Sequence, residues 1–344
     1  MGVNDFISQF CQRGHEGYLP KKDASRFSTI LKNIVNEDLP SRDSILTGQI
    51  RDLTNSHDLS IYIHSENIFC KPQDDFLLVG VLAPYWKNGL REICKTEAIY
   101  DQVEGFFHFA QQYVVRSRQI NLIGSIALTY KRACDFRGHT LKYFTLNTDE
   151  SVVDFKSQFP ETPRKLSKNE RLLTQLFNNM NALDPFINRI VFCYVRALKL
   201  DELGFAEEAI TALDSVIDVA ESFLCERIGI KEEDQRKTLS EFLGLSDNQK
   251  DRLSFLYEIR CYFGAHPAYS KWWDFGELYE SEFEKLFEVV KKVVIKICEL
   301  ESKNRIVDDN PKKWSEWFCK NAMLLWDAVG FHRIPMAKYY FGEF

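Results

Sequence analysis

The cysteines of this chain form no C-x-x-C pair, although there are nine of them. They stand at 11, 70, 94, 134, 193, 225, 261, 298 and 319. An odd, scattered set gives no disulfide framework and no zinc-ligand spacing, and it reads as reduced thiols in a cytoplasmic protein. No stretch of eighteen apolar residues occurs, which argues against a membrane span. The first residues, MGVNDFISQFCQRGHEGYL, lack the basic run followed by an apolar run that marks a secretory leader. There is no Gly-rich phosphate loop, no compact cluster of His, Cys and carboxylates, no internal repeat and no low-complexity tract. We therefore expect no metal and no cofactor. Positive charge is also short: 44 Lys and Arg against 50 Asp and Glu give a net charge of −6. Any nucleic-acid binding must then rest on a local cationic site, since phosphate contacts carry most non-specific affinity.

What is plentiful is apolar and aromatic residues. The 344 residues are 45% hydrophobic and 14% aromatic, with 27 Phe. That is enough for two well-filled cores at roughly 150 residues each, and it argues against long disorder.

Along the chain the pattern changes once. Over 1–150 the expectation is a small α+β domain. A short helix over 25–35 places Phe27, Ile30, Leu31 and Ile34 on one face. Strands are expected over 59–64, 67–70 and 76–82, with Pro72 to Asp75 as a hairpin turn. A helix over 99–118 follows, then strands over 121–130 and 141–146. Residues 151–169 are polar with two prolines and read as a linker.

From about 170 the spacing becomes helical. One helix is expected over 170–200, broken near Asp184-Pro185. A second, over 205–228, carries Ala206, Ala209, Ile210, Leu213, Val216, Ile217, Ala220 and Leu224 at 3.6-residue periodicity. A third starts at a Ser246-Asp247-Asn248 cap and runs to about 265. The fourth covers 280–302, with Phe283, Leu286, Phe287, Val290, Val294 and Ile297 inward. Four such helices with modest loops predict an up-down bundle over 170–302. A further helix over 314–329 belongs to a carboxy-terminal extension, 310–344. The chain is thus expected to be mainly α overall.

The third bundle helix ends Leu256-Tyr257-Glu258-Ile259-Arg260-Cys261-Tyr262-Phe263-Gly264-Ala265-His266-Pro267. Arg260 and His266 are separated by five residues, follow an apolar run, precede a turn, and are followed by a long apolar last helix. In this order and context they resemble the Arg-x4–6-His motif of the HEPN superfamily, in its antiviral and abortive-infection members. The resemblance covers roughly 170–302. Arg51–His57 and Arg132–His139 fit the same loose spacing, but neither sits in a helical bundle.

The resemblance implies a metal-independent endoribonuclease. RNA carries its own nucleophile, the 2′-hydroxyl, so the protein must supply a proton carrier and a cation. His266 suits the first role near neutral pH, and Arg260 can hold phosphate oxygens through its fork of donors. Six residues of straight helix turn about 600°, leaving the two side chains roughly 120° apart. A bend at Gly264 and Pro267, or a second copy across a two-fold axis, must reunite them. The family pairs its motifs across such an axis, which implies a homodimer. RNA is then the expected substrate, and the amino-terminal domain the seat of a regulatory protein or ligand.

Cys261 departs from the polar residue that follows the Arg in many active relatives. A non-catalytic module binding RNA, nucleotide or a partner protein is therefore the alternative. A third reading is a scaffold whose aromatic carboxy-terminal helix docks a partner. Trp272-Trp273 are expected to pack a loop onto the bundle, and Lys291-Lys292 to be a solvated face.

Overall fold

In the computed structural model, the residues described are 42–52, 61, 63–64, 68–73, 76–85, 117–136, 142–145, 157, 166–180, 185–228, 235–265 and 272–302. The expected helices over 25–35 and 314–329, residues 99–116 of a third, most of the 151–169 linker, and His266 with Pro267 lie outside them.

The strands are β1 (Arg42–Asp52), β2 (Ile63–His64), β3 (Ile68–Gln73), β4 (Phe76–Tyr85), β5 (Cys134–Phe136) and β6 (Lys142–Thr145). They form one antiparallel sheet in the order β2-β3-β4-β1-β5. β6 shares the β5 edge of β1, pairing Ser44–Thr47 while β5 pairs Ile50–Asp52. The expected hairpin is present: β3 and β4 meet at Gln73↔Phe76. β1 was not expected, because RDSILTGQIRD has no period-2 apolar alternation. It is held instead between β4 and the β5/β6 edge by backbone pairing on both sides. Arg51 lies within β1.

Residues 121–130 are helical and not a strand. Helix α1 spans 117–130. From Ser117 to Leu128 every residue except Ile120 is buried. A helix covered on all sides carries apolar residues all round and loses the 3.6-residue signature, so NLIGSIALTY mimics a buried strand. At Gly124 a Cβ would overlap the Val191 side chain. Ser125 Oγ donates to Asn121 O at 2.8 Å and lies 3.8 Å from Met180 Sδ. The helix ends at Lys131, which takes a left-handed backbone (φ 52°) and donates its N–H to Ala127 O.

The remaining helices are α2 (Lys168–Asn179), α3 (Pro185–Glu202), α4 (Ala206–Ile228), α5 (Gln235–Phe242), α6 (Asp247–Ile259) and α7 (Trp272–Ser302). The described chain is therefore mainly helical. α2 opens on a capping box in which Ser167 Oγ accepts from the Glu170 N–H and Glu170 accepts from the Ser167 N–H. Pro185 starts α3 at a position where its missing N–H costs nothing. Gly204 (φ 79°) and Gly244 (φ 58°) end α3 and α5 with left-handed turns, closed by Phe205 N–H to Leu200 O and Leu245 N–H to Ser240 O. α5 was not expected. It has eight residues, of which Leu239 and Ser240 are buried, too few to show a period.

The core runs through α3, α4 and α7. Tyr194 packs edge-on against Phe287, which in turn meets Phe283. Val290, Val293, Val294 and Ile297 are fully buried on α7. α7 starts at Trp272, eight residues before the expected start, so Trp272-Trp273 open a helix rather than lie in a loop. Gly276 hid this continuation, since Gly disfavours a helix interior. Nothing lies within reach of a Cβ at that position. α6 and α7 run antiparallel and are tied by polar clips. Arg252 Nη1 pairs with Glu282 Oε2 at 2.7 Å. Lys292 Nζ donates to Gln249 Oε1 at 2.9 Å, so this lysine is not a purely solvated residue. Lys296 Nζ donates to Leu243 O and Gly244 O, which satisfies carbonyls at the end of α5.

Candidate functional site

Arg260 sits where α6 changes its winding. Residues Arg260–Ala265 continue the helix as a π-helical turn. Such wide turns are rare, usually single, and frequent at functional sites. The turn takes in six of the motif's residues, from the arginine to the position before His266. Arg260 keeps helical dihedrals (φ −59°, ψ −41°), and its N–H is shared between Leu256 O and Tyr257 O.

The Arg260 side chain is 38% exposed and its Nε stands 3.6 Å from Oδ2 of Asp214, whose side chain is 1% exposed. Asp214 comes from the middle of α4, which packs along the π-helical turn. At that separation the contact is an ion pair rather than a hydrogen bond. It fixes the guanidinium at its Nε edge while the partly exposed side chain remains within reach of solvent. Tyr257, one turn earlier on the same side of the helix, is exposed (47%), Tyr262 is exposed (46%) toward the other side, and Cys261 is half-buried. Phe263 is buried and anchors the turn, edge-on to Tyr262 at 5.0 Å between ring centres. An anion reaching Arg260 would thus meet a cation oriented by a buried carboxylate, with the exposed ring of Tyr257 one turn back along the helix. Such rings can stack on bases.

Of the two expected catalytic residues, Arg260 is therefore placed at a half-open helix end, and His266 lies outside the described residues. Asp214 was missed by sequence reasoning. So was Glu221, a second buried acid two helical turns further along α4. The signal for both was present. Each directly follows an apolar-stripe residue (Leu213, Ala220), at a seven-residue spacing that returns to the same helix face. Acids in such positions are rarely buried without a partner. Arg132 lies in the short connection between α1 and β5, directly after the end of α1. Among the described residues no three His, Cys, Asp or Glu side chains converge as metal ligands would. No described helix is long and apolar enough to cross a membrane. Compared with known families, characterised proteins and solved structures, the chain matches no family model, no characterised relative and no solved structure.

Proposed function

We propose that this chain is a metal-independent endoribonuclease of the HEPN type, acting in the cytoplasm as an antiviral defence or toxin effector. The observation that carries the reading is the placement of Arg260. It opens a π-helical turn at the end of α6, partly exposed and braced by the buried Asp214, ahead of the long amphipathic helix α7. In this reading the guanidinium holds the scissile phosphate. The 2′-hydroxyl attacks phosphorus, the bond to the 5′-oxygen breaks, and a 2′,3′-cyclic phosphate forms. His266 gives a proton to the departing 5′-oxygen. The His266 of a second copy, across a two-fold axis, takes the 2′-hydroxyl proton. The region over 1–150 serves as sensor or regulator.

The test is incubation of the purified chain with end-labelled RNA, with and without EDTA. The reading expects the same cleavage in both and fragments ending in 2′,3′-cyclic phosphate. Cleavage abolished by the chelator, or 3′-hydroxyl ends, overturns the mechanism.

One observation favours a second reading, a non-catalytic module that binds RNA, nucleotide or a partner protein. Arg260 already has an anionic partner in Asp214, and Cys261 follows it where active relatives carry a polar group. On this reading the chain shifts labelled RNA in a gel without cutting it, and its expression is harmless to the host cell. Toxicity relieved by His266→Ala excludes it.

A further inference from the structure

A cavity of about 310 Å³ opens between α1, β5 and the outward face of α3, on elements other than those that carry Arg260. Its walls are Ile120 and Ile123 of α1, Cys134 of β5, and Phe192, Val195 and Leu203 along α3 and the turn after it. Leu200 and two cations, Arg196 and Lys199, complete the wall. They fall on the same helical stripe as Phe192, Val195 and Leu203, spaced by three and four residues, so charge and apolar surface face one opening.

Two features mark this as a site rather than a packing gap. The volume lies at the lower end of the range for small-molecule sites, roughly 300–1,000 Å³, and such sites are mostly apolar with a few placed polar groups. In addition, Phe192 and Leu203 are 42% and 55% exposed, large apolar side chains left facing water around the opening. Exposed apolar clusters of this kind are where ligands or partners settle.

The lining selects the chemistry of the occupant. Apart from the two cations it contains no hydroxyl, amide or carboxylate side chain, so a sugar or nucleobase would bury its polar edges without hydrogen-bond partners. An alkyl or aryl body loses nothing there. Both charged side chains in the lining are cations. Asp201 accepts from the Tyr279 hydroxyl at 2.9 Å and Glu202 from the Ala133 N–H at 2.9 Å. We propose that this cavity binds a small amphipathic anion, an apolar chain or ring system carrying one carboxylate. The body lies between Ile120, Ile123 and Cys134, and the head group on Arg196 and Lys199.

The experiment is calorimetric titration of the full chain with decanoate and, in parallel, with the uncharged decanol. One decanoate per chain is expected, bound about tenfold or more tightly than decanol, the ratio that one charge-assisted contact of roughly 1.5–3 kcal/mol supplies. Arg196→Glu should remove that preference while decanol still binds. Leu203→Trp should weaken both ligands by narrowing the opening. Both positions are exposed, so the fold survives the changes, and circular dichroism checks it. Absence of saturable binding by either compound overturns the proposal, as does decanoate binding untouched by both variants. Dimer dissociation by Leu203→Asp with no decanoate binding would also overturn it, and would assign the surface to a second copy of the chain.

Discussion

Replacing Arg260 by Met separates a structural from a catalytic role for this residue, because its partner is so deeply buried. The Asp214 carboxylate is 1% exposed and 3.6 Å from the guanidinium. At an effective dielectric constant near 20, two unit charges at that distance attract by about 4–5 kcal/mol. Desolvation of Asp214 offsets much of this, and water reaching Arg260 screens the rest. Stripping a partner from a fully buried ion costs roughly 3–5 kcal/mol. With one side of this pair open, Arg260→Met should cost about 2–3 kcal/mol. Asp214→Asn removes the buried charge itself and should cost less. The double variant Asp214→Asn, Arg260→Met should recover part of the loss, giving a coupling energy of about 1–3 kcal/mol by urea unfolding at constant m-value. RNA cleavage should behave differently. Every variant lacking Arg260 should be inactive, the restabilised double included, while Asp214→Asn keeps partial activity because it only orients the cation. A coupling below about 0.3 kcal/mol would refute the energetic argument. Cleavage by the double variant at the wild-type rate would refute the assignment of phosphate binding to Arg260.

Other outcomes follow from the same contacts. Gly124→Ala should cost about 1–3 kcal/mol by overpacking against Val191, and Val191→Ala in that background should restore part of it, as read from paired thermal melts. Ser167→Ala should cost about 1 kcal/mol by opening the α2 capping box, read as a lower urea midpoint. Stability should fall in acid. Hydrogen bonds from the Ser167 backbone and side chain hold Glu170 below its ordinary value of 4.5; Lys285 and then Arg252 do so for Glu282, and Lys131 for Glu284. Carboxyls lowered in the folded chain stabilise it above their unfolded value and lose that contribution as pH drops through the folded one. The urea midpoint should therefore decline below pH 4.5, and less steeply in Glu282→Gln, whereas an unchanged acid slope would dismiss the Arg252–Glu282–Lys285 cluster.

How far the fold was legible depended on how each element buries itself. α4 shows one apolar stripe and one polar face, so Ala209, Ile210, Leu213, Val216 and Ile217 were placed inward correctly. The break at Pro185, the start of α6 after Ser246 and the β3–β4 hairpin rest on local stereochemistry, and the sequence carries that directly. Elements whose environment is set by distant residues were hidden. α1 is buried almost all round and passed for a strand, and β1 owes its form to backbone pairing with β4 on one edge and β5 and β6 on the other, all later in the chain. The Arg260–His266 spacing was visible, but the π-helical turn over Arg260–Ala265 was not. Asp214 stayed concealed because a charged residue beside an apolar stripe is assumed to reach solvent. Its seven-residue spacing from Glu221 marks a buried face, but its ion-pair partner Arg260 is 46 residues away in the chain.

The claim that Arg260 and His266 together cut RNA is tested most directly by single-turnover cleavage of a labelled RNA in EDTA. The wild-type chain would be compared with Arg260→Ala and with His266→Ala, each confirmed folded by its urea transition. Loss of a positioned proton carrier alone is worth about 10²–10⁴-fold. The account predicts a fall of at least that size for His266→Ala and a comparable one for Arg260→Ala. Cleavage by either variant at the wild-type rate would contradict it.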